Sequence, residues 1–139
     1  MAAYLVWGKG NAHNETLDLI VVEPGPSVSG GAVVVTVDCG VTAFEPLAEA
    51  KRVGLDTIVI DHHMAEIALP EAIAVVDPNR VDEASPHKQM AAVGVAFLLA
   101  VGVNRALRDA GWYGATRPEP DLRQWLDLVA LGTVCDVVP

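Results

Sequence analysis

Four side chains of this 139-residue sequence have the residue types and positions to do chemistry. Asp38 ends one β-branched run, His62 and His63 follow another, and Asp136 lies near the C-terminal end. Carboxylate oxygens together with imidazole nitrogens suit Mn²⁺, Fe²⁺, Co²⁺ or Zn²⁺. Two such cations roughly 3.5–4 Å apart would favour phosphoester cleavage, because they activate water and stabilise the leaving oxygen. The residue types therefore predict a divalent metal site. The alternative is a flavodoxin-like binding domain whose histidines have no ligand role.

The elements that must position these side chains form a strand, helix and strand pattern. Residues 32–37 and 57–60 are β-branched runs typical of buried strands, and residues 42–52 between them read as a helix. Such a unit is a right-handed parallel βαβ crossover, which places both carboxyl strand ends at one sheet edge. Open α/β sheets bind ligands at that edge. The spacing therefore predicts that Asp38 lies close to the Asp61-His62-His63 segment.

The remaining elements complete an α/β fold. A third strand is predicted at residues 72–76, a loop at 80–88, and helices at 90–109 and 121–131. A short strand at 17–22 and a turn-rich loop at 23–31 precede them. The predicted fold class is α/β, a parallel sheet flanked by helices.

Composition sets limits on the partners. The formal net charge is -9 and the sequence pI is about 4.6, whereas a surface that binds nucleic acid by neutralising phosphates is basic. The uncharged stretch at residues 89–104 is too short to span a bilayer and predicts a buried helix instead, so no membrane partner is expected. Cys39 and Cys135 form no close pair, and the sequence shows no secretory signal. These features predict a cytoplasmic protein.

Three ordered motifs carry a family resemblance. Residues 37–43, 60–63 and 131–139 resemble three motifs of the DHH phosphoesterase superfamily. In detail they are similar to the RecJ-type exonucleases, as are residues 75–79 and 92–97. The resemblance divides the chain into a poorly matched N-terminal segment, residues 1–31, and a partial DHH catalytic domain, residues 32–139.

The resemblance implies a role for each matching residue. Asp38 would bridge two metal ions, His62 would bind one of them, and Asp136 would bind the same ion as His62. His63 would lie beside the scissile phosphate as a ligand or as a donor to its oxygens. Asp61 would orient a histidine, as carboxylates beside metal sites commonly do. The alternative role for Asp61 is to cap the turn that follows it.

The implied activity is hydrolysis of single-stranded DNA from the 5′ end, with Mn²⁺ or else Mg²⁺ as cofactor, two ions in the complete site, and single-stranded DNA as partner. The implied cellular roles are DNA repair and recombination. The family's aspartate-rich first motif is missing before Asp38, where Asp18 is the one aspartate, and no DHH-associated domain follows Pro139. The chain is therefore expected to be an incomplete DHH domain with impaired activity. The alternatives are an oligoribonuclease, a cyclic-dinucleotide phosphodiesterase, a pyrophosphatase, or a non-catalytic metal-binding remnant.

Overall fold

The computed structural model describes residues 33–138. It divides into two compact units, with the boundary between Lys88 and Gln89. The strand predicted at residues 17–22 and the loop predicted at 23–31 lie outside the described residues. No helix in the described part of the chain has both the length and the apolar character needed to cross a membrane.

The first unit contains a parallel three-stranded sheet, as the sequence predicted. Its strands are β1 (Val33–Val37), β2 (Asp56–Ile60) and β3 (Ala74–Val76), in the order β1-β2-β3. The first pairing runs from Val33 opposite Asp56 to Val37 opposite Ile60. Ile60 in turn lies opposite Val76 of the third strand. All three carboxyl ends therefore meet at one edge of the sheet.

Helix α1 (Phe44–Arg52) connects the first two strands and packs its apolar face on the second. It begins two residues later than the sequence predicted, because Thr42 and Ala43 belong to a turn in which Ala43 N–H donates to Gly40 O. Leu47 of this helix is fully buried, which stabilises the fold by roughly 1.5–3 kcal/mol. The core cluster of this unit comprises Val41, Ala43, Leu47, Val59, Ala65 and Val75.

The second unit is helical. It contains α2 (Ala92–Asp109), a 3₁₀ turn (Leu122–Trp125) and α3 (Leu126–Cys135). The prediction of a buried core helix was wrong for the C-terminal half of α2, where Asn104 is the one buried residue. Within this unit α2 packs against α3, and the loop that follows α2 contacts it through Asn104 and Arg108.

The last helix runs four residues past its predicted end at position 131. Gly132 lies inside α3, and a Cβ atom there would come within 2.8 Å of the Val93 side chain on α2. The glycine therefore permits close helix packing rather than ending the helix. The apolar face predicted from Leu122, Trp125, Leu126 and Val129 is at best partly buried.

Candidate metal centre

The edge of the sheet is continued by hydrogen bonds beyond the strands themselves. Asp38 N–H donates to Ile60 O at 2.9 Å, and Asp61 N–H donates to Val76 O at 3.1 Å. Each residue that follows a strand end is thus held to the neighbouring strand. The two predicted site segments therefore begin from fixed backbone positions.

Asp38, His62 and His63 lie together at this edge. One candidate ligand atom from each falls within 4.8 Å of the others. Asp38 Oδ1 is 3.2 Å from His62 Nε2, and the two imidazole centroids are 4.5 Å apart. The His62 side chain is 11% exposed, whereas those of Asp38 and His63 are 56% and 46% exposed. One carboxylate and two imidazoles, open to solvent on one side, fit a cation such as Mn²⁺, Fe²⁺, Co²⁺ or Zn²⁺.

Asp61 lies beneath this cluster and is fully buried. Its Oδ2 accepts the Val41 N–H at 2.9 Å, and its Oδ1 accepts the His62 N–H at 2.8 Å and the His63 N–H at 3.3 Å. Oδ1 is also 2.7 Å from His63 Nδ1. The carboxylate therefore contacts both the backbone of the turn and one imidazole, and its predicted role in orienting a histidine beside a cation stays a prediction.

The loop after the first strand has a constrained backbone. Asp38 has φ 65°, a left-handed conformation that aspartate and asparagine tolerate better than most residues. Gly40 has φ 116°, and a Cβ atom there would lie 2.8 Å from Thr36 Oγ1. Thr36 Oγ1 in turn donates to Cys39 O at 2.9 Å. The loop thus combines two positive φ angles with a hydrogen bond from the Thr36 side chain.

Asp77 and Asn79 belong to the site's surroundings but were given no role by sequence reasoning. Asn79 Nδ2 donates to His62 O at 2.5 Å, and Asn79 N–H donates to Asp77 Oδ1 at 2.7 Å. Asp77 is 3% exposed. Burial raises the pKa of the Asp77 carboxyl, the Asn79 N–H opposes this, and the charge of Asp61 raises the pKa further. The sequence placed Asp77, Pro78 and Asn79 after the third predicted strand but could not show which backbone groups their side chains contact.

Asp136 lies in the second unit, at the C-terminal end of α3. Its N–H donates to Gly132 O at 3.0 Å, its side chain is exposed, and the next residue, Val137, has φ 54°. A carboxylate at this end of a helix is opposed by the helix dipole, typically by 0.3–1 kcal/mol. Its predicted place on the same cation as His62 stays a prediction.

A sequence model described as "DHH family, N-terminal domain" matches residues 1–133 of this chain. The single-stranded-DNA-specific exonuclease RecJ of Salmonella typhimurium is 46% identical over 111 residues, which cover 79% of this chain and 19% of the relative. The protein of the same name from Escherichia coli is 44% identical over 111 residues, with the same two shares. The chain thus spans about a fifth of the length of these curated relatives.

One solved structure is also similar. It is the crystal structure of RecJ in complex with Mn²⁺ from Thermus thermophilus, with a TM-score of 0.58 and 33% sequence identity. The match covers 77% of this chain and 14% of that chain. The likeness agrees with the parallel sheet and helices described above.

Proposed function

This chain belongs to the DHH family, and from that premise we propose that it takes part in metal-dependent hydrolysis of phosphodiester bonds in single-stranded DNA. The direction would be 5′ to 3′, with release of mononucleotides. The observation that carries the proposal is the group formed by Asp38, His62 and His63 at the carboxyl edge of the sheet. Relatives named for single-stranded-DNA exonuclease activity support the choice of substrate.

Mn²⁺ is the proposed ion, with Mg²⁺ as the next choice. The Mn²⁺ in the similar Thermus thermophilus structure and the mixed oxygen and nitrogen donors here support manganese. When bound, the cation would lower the pKa of a coordinated water and neutralise charge on phosphate oxygens. A role in DNA repair and recombination and a cytoplasmic location belong to the same proposal.

Different residues of the chain would bind the cation and contact the phosphate. Asp38 and His62 would hold the cation, and Asp136 would add a carboxylate beside His62. His63, whose Nδ1 is 2.7 Å from the buried Asp61, would lie beside the scissile phosphate as a ligand or, in its imidazolium form, as a donor to the phosphate oxygens. A fixed donor next to the phosphate offsets charge as it develops there without a cost of reorganisation.

The direct test of the cation site is calorimetric titration of the purified chain with Mn²⁺, in parallel with His62→Ala and His87→Ala. His87 is an exposed histidine in the loop at 80–88 and serves as the matched control. We expect binding by the wild-type chain and by His87→Ala, and binding at least about tenfold weaker in His62→Ala, equal to a loss of about 1.4 kcal/mol. Equal binding by all three proteins would contradict the proposal.

The substrate is tested separately with Mn²⁺ present. Single-stranded DNA, a short RNA, a cyclic dinucleotide and inorganic pyrophosphate are offered to the same preparation, with Asp38→Asn as the negative control. We expect mononucleotides from the 5′ end of the DNA at a higher rate than any product from the other three. Preference for one of those three would assign the chain to another activity of the family.

A further inference from the structure

The backbone of His62 is held by side chains, because this residue lies beyond the end of β2. Its N–H donates to Asp61 Oδ1 at 2.8 Å, and its C=O accepts from Asn79 Nδ2 at 2.5 Å. A metal ligand in a loop lacks the backbone hydrogen bonds between strands that would otherwise fix its peptide planes. These two contacts hold the peptide planes on either side of His62 and so limit the direction in which its ring leaves the backbone.

The donor on Asn79 is itself held in place. Asn79 N–H donates to Asp77 Oδ1 at 2.7 Å, which forms a turn that the side chain of Asp77 closes. Asp77 is 3% exposed, and the intervening Pro78 is buried with its φ fixed by the pyrrolidine ring. Asn79 thus offers its amide to His62 from a rigid turn that follows β3.

We propose that Asp77 and Asn79 are positioning residues for the cation site and act through the main-chain carbonyl of His62. The inference rests on the proposed function, since it assumes that His62 binds a cation. Groups that orient metal ligands typically change metal affinity by 10–100-fold when they are removed. The turn would therefore set both the affinity of the site and the geometry around its ion.

The test uses Co²⁺ as a spectroscopic probe and Mn²⁺ for affinity, with the full chain. Asn79→Ala removes the amide donor, and Asp77→Ala removes the acceptor that fixes the turn. We expect each variant to alter the visible absorption of bound Co²⁺ and to weaken Mn²⁺ binding by about 10–100-fold. The double variant should be little worse than either single variant, because both changes remove the same support.

Two matched variants separate positioning from general damage to the loop. Asp77→Asn keeps the Oδ1 acceptor and should keep the wild-type Co²⁺ spectrum. Arg80→Ala removes the 2.7 Å contact from Nη1 to Val75 O in the same loop without touching His62. It should lower the melting temperature and leave the Co²⁺ spectrum unchanged.

The outcomes distinguish the two proposals. A wild-type chain that binds neither Co²⁺ nor Mn²⁺ would overturn the proposed function and this inference with it. Wild-type binding with an unchanged spectrum and affinity in Asn79→Ala would overturn the inference alone. The same would follow if Arg80→Ala reproduced the spectral change of Asn79→Ala.

Discussion

Asp61 is the residue on which the local order of the site depends. Its buried carboxylate accepts three backbone N–H groups and also contacts the ring of His63. A buried acceptor with this many partners links two loops that are distant in the chain. The link joins the loop that contains Val41 to the segment that contains His62 and His63.

We predict that Asp61→Ala destabilises the chain more than Asp61→Asn. Alanine leaves the N–H groups of Val41, His62 and His63 without this acceptor. The Val41 donor is buried, and a buried unpaired donor costs about 1–3 kcal/mol. Asparagine keeps one oxygen and should show roughly half of the loss. Urea unfolding followed by circular dichroism measures both values. Equal stability of the two variants would contradict this account.

Asp77 gives a prediction about pH. Burial raises the pKa of its carboxyl, so the carboxylate form is less favourable in the folded chain than in the unfolded chain. The contribution of neutral Asp77 to the free energy of unfolding is fully present below the unfolded pKa of roughly 3.9. That contribution is lost as the pH rises through the higher pKa of the folded chain. Asparagine does not titrate.

The free energy of unfolding of Asp77→Asn, minus that of the wild type, should therefore increase between about pH 4 and pH 7. Urea titrations at several pH values without divalent cations measure this difference. A difference that stays constant or falls with pH would show that the Asp77 pKa is not raised.

At the scale of single residues, the sequence was enough to predict that Asp38, His62 and His63 lie close together, because residues that follow neighbouring parallel strands share one edge of the sheet. It did not reveal the contact of Asn79 with His62. That contact depends on how β3 and its turn lie against β2, which no local pattern encodes.

The loop between β1 and α1 is the element with the tightest conformational requirement. Gly40 combines φ 116° with close neighbours on Thr36 and Val59, whereas Gly54 after α1 has φ 82° and open space around it. Comparing alanine at the two positions separates steric crowding from backbone strain.

We expect Gly40→Ala to cost more stability than Gly54→Ala. Both substitutions force an L residue into a left-handed region, at about 1–3 kcal/mol. Only Gly40→Ala adds a contact at 2.8 Å, which the Thr36 hydroxyl must move to relieve. Thermal unfolding of both variants checks the order. Similar melting temperatures would mean that the loop accommodates the added Cβ atom at Gly40 with no further loss of stability.

The positions of the strands and helices were predicted more accurately than the burial of their residues. The β-branched runs identified all three described strands, because strands in a parallel sheet are apolar on both faces. The end of α3 was missed because Gly132 resembles a helix stop in sequence. Its real constraint is Val93, a residue nearly forty positions earlier.

At the scale of the whole molecule, an excess of negative charge accompanies the carboxylates of the proposed site. The formal net charge is -9, which disfavours an anionic polymer at long range. Bound divalent cations would reduce that charge where the phosphate must approach. A cation that binds the folded chain and not the unfolded chain also stabilises the fold.

Mn²⁺ should therefore raise the resistance of the chain to unfolding. At a free concentration 100 times Kd, binding at one site adds about 2.7 kcal/mol to the free energy of unfolding. The increase should be present in His87→Ala and largely absent in His62→Ala. Differential scanning fluorimetry across a Mn²⁺ series measures it. An equal increase in both variants would place the cation elsewhere.

The hydrogen bonds that extend the sheet to Asp38 and Asp61 also affect how the rate of strand opening compares with the rate of ion exchange. Both amides belong to the ladder, so their exchange with solvent deuterium should require opening of the strands, an infrequent event. The ring of His63 stays bonded to Asp61, but this ring and the carboxylate of Asp38 are about half exposed, so solvent reaches both without any opening of the strands. A bound ion would therefore exchange many times between two openings of the strands. Its exchange rate would not depend on how often the sheet opens.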